Sequence, residues 1–164
     1  MTAFTIIHVV ISLIGIVTGL VVAAGLLNAK RLDGWTVLFL ASTIATSLTG
    51  FGFPFERLLP SHIVGAISLV VLAVALYARY VCLMAGSWRS IYVATAVAAL
   101  YLNVFVLVVQ LFLKVPALNA LAPTQSEAPF AIAQAIVLVI FAALGVAAVK
   151  RFREARSMRR VASV

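Results

Sequence analysis

The chain has 164 residues, 65% of them hydrophobic and only 10% charged, where a soluble domain of this size carries about 25% charged residues. Its net charge of +8 does not mark a nucleic-acid binder, because the basic residues flank apolar runs instead of clustering on a soluble face. A single cysteine, Cys82, excludes an internal disulfide, a CxxC metal knuckle and a CxxCH haem attachment site.

Five apolar segments approach the roughly 20 residues that a helix needs to cross a bilayer core: Phe4–Leu27, Trp35–Phe53, Ser61–Tyr80, Ser90–Leu113 and Pro129–Val149. Their length, and the absence of period-2 alternation, predict helices and not barrel strands. The expected fold class is therefore all-α, a polytopic membrane helical bundle of five transmembrane helices. Residues 1–150 are read as one transmembrane domain and residues 151–164 as a basic cytoplasmic tail. The first segment is read as a retained span. It lacks a basic n-region, and its 24 residues exceed the usual signal-peptide core of about 7–15.

The links between segments are short. Asn28–Gly34 is a turn with a basic pair, and Pro54–Pro60 is bounded by prolines that stop helices. Lys114–Ala128 contains Pro116 and Pro123 and is expected at the interface. Lys30, Arg31, Arg79, Arg89, Lys150, Arg151, Arg153, Arg156, Arg159 and Arg160 fall on one side of such a bundle, and only Arg57 and Lys114 on the other. By the positive-inside rule the N-terminus is expected outside and the C-terminus in the cytoplasm, in the inner (plasma) membrane. The first two hairpins each read as His, apolar helix, basic turn, Trp, apolar helix, which is the pattern of a parallel repeat.

His8 and His62, the two histidines, sit at matching depths near the outer ends of spans one and three. Two imidazoles at one level, on helices running in the same direction, are the ligand set of a bis-histidine haem b. In that reading His8 and His62 hold the iron, and Arg57 and Lys114 pair with the propionates. His8, Ser12, Gly15 and Gly19 follow 4-3-4 spacing and share a helix face; Gly65, Ala66 and Ala73 follow His62. Such small residues make room for a flat cofactor, and they equally serve close helix packing.

Span four carries a stripe of Tyr92, Ala96, Ala99, Asn103, Val106 and Gln110. Asn103 lies near mid-membrane, where an unpaired amide is costly, so it is expected to face the bundle interior. With Ser12, Thr46 and Gln134, Asn103 and Gln110 outline a polar chamber opening outward; a simple interhelical hydrogen-bond network accounts for the same residues. No catalytic triad, buried carboxylate pair, phosphate loop or HExxH motif is present.

The stretch Phe51-Gly-Phe-Pro-Phe55 followed by Leu59-Pro-Ser-His62 resembles a pattern carried by small bacterial inner-membrane proteins, and that resemblance implies no activity. In type of site, the two-histidine arrangement is similar to membrane b-type cytochromes. Three functions are compatible with these residues. One is a haem-b electron-transfer protein with a membrane redox partner. Another is a small permease or ligand-binding protein using the outer chamber. The last is a non-catalytic accessory subunit. The lipid bilayer is the expected surrounding, and self-association into a homo-oligomer is compatible with each.

Overall fold

The computed structural model describes residues 2–53 and 60–161, with the backbone alone for 60–61 and 153–161. Arg57, and Pro54 and Phe55 of the Phe51–Phe55 stretch, lie outside the described residues. The described chain is helical: α1 (Ala3–Leu27), α2 (Asp33–Gly50), α3 (Pro60–Leu76), α4 (Trp88–Lys114), the short α5 (Pro116–Leu121) and α6 (Ala128–Val161). A π-helical turn, Tyr77–Val81, continues α3.

Four helical stretches are long and apolar enough to cross a membrane: Ala3–Leu27, His62–Val81, Trp88–Lys114 and Ala128–Phe152. α2 is not among them. It begins at Asp33 and carries Thr36, Ser42, Thr43, Thr46, Ser47 and Thr49, which lower its hydropathy. It turns most of these groups inward, and Thr36, Ser42, Thr43 and Ser47 are buried.

α1 ends in a Schellman motif. Lys30 donates its amide to the Gly25 carbonyl and Ala29 donates to Leu26, with Ala29 in the left-handed conformation at φ 53°, a position usually given to glycine. The chain therefore reverses within a few residues and α2 runs back along α1. Phe4 packs on Phe53, His8 bonds to Thr49, and Gly15 lies against Ser42 and Thr43. The closest approach is at Gly19, where a Cβ would fall 2.5 Å from Leu100 and 2.8 Å from Phe39. Only a residue without a side chain lets α1 pack this near to both α2 and α4.

α4 occupies the centre, packed against α1, α3 and α6, while α2 bridges α1 and α3. Its faces divide the work: Leu100 and Asn103 meet α1 at Gly19 and Gly15, while Tyr101 packs on Phe141 and Phe112 on Phe130 of α6. The core is apolar and tight, with Phe39, Leu72, Leu100 and Tyr92 at 2% exposure or less. Ile6, Val10, Leu13 and Val17 on α1 and Ile132, Ile136 and Val139 on α6 face outward, as lipid-facing residues do.

Two expected boundaries shift. Lys114–Ala128 holds a short helix, because Pro116 occupies the first helical position where its missing amide costs nothing. The last helix runs on to Val161, through the basic tail. Just before its start, the Glu127 carboxylate accepts from the Thr124 hydroxyl and from the Thr124 and Ser126 amides. Loss of surrounding water works to raise the Glu127 pKa, but these hydrogen bonds outweigh it and hold the carboxylate below its ordinary value.

Candidate functional site

Near the middle of the bundle, α1, α2 and α4 meet in a polar layer. Asn103 donates from Nδ2 to Thr43 Oγ1 at 3.1 Å. A Cβ on Gly15 would lie 3.3 Å from Ser42 Oγ and Thr43 Oγ1 and 3.4 Å from Asn103 Nδ2. Asn103 is 8% exposed and faces the interior, as its depth requires. The absence of a side chain at Gly15 gives the amide and the two hydroxyls their space.

This layer divides the bundle. On the side of Leu27 and Asp33 the inward faces are closed: Ile16, Thr18, Gly19 and Val22 on α1, Thr36, Phe39 and Leu40 on α2, and Tyr92, Val93, Ala96, Ala99 and Leu100 on α4 are all buried. On the opposite side the same faces are only partly closed, with Ser47 on α2 and Phe112 on α4 still buried. Ser12 and His8 on α1, Thr46 and Thr49 on α2, and Val106 on α4 are half-buried, and Gln110 is exposed. α3 lines the far edge of this half, with Ser47 donating to Ser68 at 3.1 Å and His62 buried against the Phe51 ring.

The hydroxyls here are held by their own helices. Ser12 donates to the His8 carbonyl, Ser42 to Leu38 and Thr49 to Ala45, each at 2.7 Å. Thr49 Oγ1 also lies 2.8 Å from His8 Nδ1. The His8–Thr49 hydrogen bond ties α1 to the end of α2. Thr46 differs from its neighbours: its Oγ1 is buried and has no hydrogen-bond partner among the described residues.

His8 and His62 lie on different sides of the end of α2. His8 packs edge-on against Phe53 at 5.1 Å between ring centres. His62 packs on Phe51 at 5.8 Å. α1 and α3 share no extended contact, since α2 packs between them. As placed, each of the two rings meets a phenylalanine. Lys114 is exposed at the end of α4. Gln134 is half-buried and joins α6 to α4, donating from Nε2 to the Phe105 carbonyl at 3.2 Å. It thus stands on the α6 face of α4, whereas Asn103 stands on the α1–α2 face.

A second polar group closes the other end. Arg79, on the π-turn, pairs with Asp33 at the start of α2. Its side chain is 5% exposed against 64% for Asp33. The guanidinium stacks on Tyr92 at 5.1 Å and on Tyr80 at 5.5 Å. The flanking-charge pattern reads Arg79 as a residue that sets orientation; the signal for its pairing is the lone Asp33 at the opposite hairpin turn.

Comparison with protein-family models, with curated proteins and with solved structures gave no match.

Proposed function

We propose that this chain is a small-ligand-binding or permease-type protein of the inner membrane. Its ligand enters an outward-opening vestibule between α1, α2 and α4. In this reading α2 crosses the membrane beside α1 as a fifth span, shielded by its partners, and the N-terminus lies outside. The orientation rests on the ten-to-two division of basic residues. The observation that carries the reading is the change in burial at the Gly15–Thr43–Asn103 layer. Below it the inward faces are sealed, and above it Ser12 and His8 are half-buried and Gln110 is exposed. A bundle whose polar groups served only to hold helices together has no reason to leave them accessible on one side alone.

The test is cysteine reactivity in a Cys82→Ser background. Ser12→Cys is expected to react with a membrane-impermeant, thiolate-selective reagent added to intact cells. Thr18→Cys, below the layer, and Leu13→Cys, facing lipid, are expected to stay unmodified. Equal protection of Ser12→Cys and Thr18→Cys defeats the vestibule.

The haem reading rests on the two histidines, His8 and His62, near the starts of α1 and α3. It requires Phe51 and Phe53 to leave the imidazoles they pack on. On the vestibule reading, protein purified from haem-supplemented cells shows no Soret band; a Soret band lost in both His8→Ala and His62→Ala would establish the haem reading instead.

A further inference from the structure

We infer that the Asp33 end of the bundle binds the headgroup of an anionic phospholipid, where two basic pairs from different helices come together. The inference stands apart from the vestibule reading. Lys30 and Arg31 follow α1, and Lys150 and Arg151 lie on α6, far away in the sequence. The fold joins them. α1 packs against α6, and Arg151 Nη1 reaches the carbonyl of Leu27, the last residue of α1, at 3.5 Å. Lys30 is folded back on the same helix end, its amide donating to the Gly25 carbonyl at 2.8 Å. Phe152, beside Arg151, is buried with the Arg89 guanidinium 4.1 Å from its ring centre, which fixes this part of α6 on α4.

All four of these basic side chains are exposed. Among the described side chains at this end, the carboxylate is Asp33, and it is already engaged. It pairs with the buried Arg79, and Arg31 stands 3.6 Å from it. Lys30, Lys150 and Arg151 have no carboxylate partner among the described residues. The backbone of α6 continues as helix to Val161, and its sequence from 153 to 160 adds four arginines against one glutamate. Such a positive field attracts an anion. The apolar neighbours select a lipid. The cations sit where the apolar stretches of α1 and α6 end, at headgroup level. Further into the bundle, Leu20 and Ala24 on the Leu27 face of α1, and Ala143 and Val146 on the Lys150 face of α6, are exposed. A phosphate held by the cations places its acyl chains along these residues, a contact that a free phosphate does not make. Topogenic bias requires only that the basic residues lie on one side of the membrane; it does not require two pairs to meet at one helix end.

The experiment measures lipid binding to the full-length protein by native mass spectrometry, with dioleoyl phosphatidylglycerol, dioleoyl phosphatidylcholine and inorganic phosphate as probes. Phosphatidylglycerol is expected to bind more tightly than phosphatidylcholine. A basic residue near a headgroup is worth about fivefold in affinity. Lys30→Gln and Lys150→Gln are therefore each expected to weaken phosphatidylglycerol binding by about that factor and to leave phosphatidylcholine binding unchanged. Both side chains are exposed, so neither replacement disturbs the core. Lys30→Arg keeps the charge and is expected to keep the affinity. Lys114→Gln, exposed at the opposite end of α4, is expected to alter neither lipid. Equal affinity for the two lipids, a loss from Lys114→Gln as large as from Lys30→Gln, or unchanged phosphatidylglycerol binding in the Lys30→Gln, Lys150→Gln double variant overturns the lipid site. Displacement of phosphatidylglycerol by inorganic phosphate at equal concentration assigns the cations to a free anion and overturns it as well.

Discussion

Gly19→Val is expected to destabilise the protein more than any other single glycine replacement in α1. The Cβ alone would sit 2.5 Å from Leu100 Cδ1 and 2.8 and 2.9 Å from two carbons of the Phe39 ring. Both neighbours are 1% exposed, so neither has free space to retreat into. Helix propensity favours alanine over glycine by roughly 1 kcal/mol, and overpacking costs about 1–3 kcal/mol. Gly19→Ala should therefore be near neutral to moderately destabilising. Gly19→Val adds two methyl groups with a restricted rotamer, and is expected to lower the melting temperature by several degrees. Gly34→Ala is the control: a Cβ there meets nothing within 4 Å, and the variant should melt no lower than the parent. Thermal unfolding in detergent, followed through Trp35 and Trp88 fluorescence, reads all three. A Gly19→Val protein as stable as the parent would show that α1 does not pack this closely on Phe39 and Leu100.

Asp33→Ala is expected to cost about 3 kcal/mol, the low end of the range for removing one partner of a buried ion pair. The low end applies because Asp33 is itself largely in solvent, while Arg79 is left 5% exposed without its counter-ion. The guanidinium keeps its stacking on Tyr92 and Tyr80, but cation–π contacts contribute only about 0.5–2 kcal/mol. Removing the charge as well, in Asp33→Ala with Arg79→Leu, should recover most of the loss. A double-mutant cycle measures this coupling. Additive effects of the two substitutions would contradict a structural role for the pair.

The helices were legible in the sequence because length and hydropathy report directly on burial in a bilayer. Phe4–Leu27 and Ser90–Leu113 differ from α1 and α4 by at most two residues at either end. Hydropathy does not report on pairing. A basic residue beside a span looks the same whether it points to water or, like Arg79, turns inward to an acid from another hairpin. The π-turn at Tyr77–Val81 left no signal, since its residue types do not distinguish it from a further turn of α-helix. Asn103 was legible as an inward-facing group because its depth makes any other orientation expensive. Its partner was not: Ser42, Thr43, Thr46, Ser47 and Thr49 are equivalent by composition, and the crossing at Gly15 alone decides that Thr43 meets the amide. The matching depths of His8 and His62 were equally legible. That α2 stands between their helices follows from how the hairpins pack, which spacing within each helix does not encode.

Collision accessibility of a spin label at Thr46→Cys, in the Cys82→Ser protein reconstituted in bilayers, tests the vestibule most directly. A water-soluble nickel chelate reaches labels in aqueous space, and oxygen concentrates in the lipid core. The label is expected to be relaxed by the nickel chelate more than by oxygen, with the reverse at Leu13→Cys on the lipid face. Oxygen-dominated relaxation at Thr46→Cys, matching that at Leu13→Cys, would contradict it.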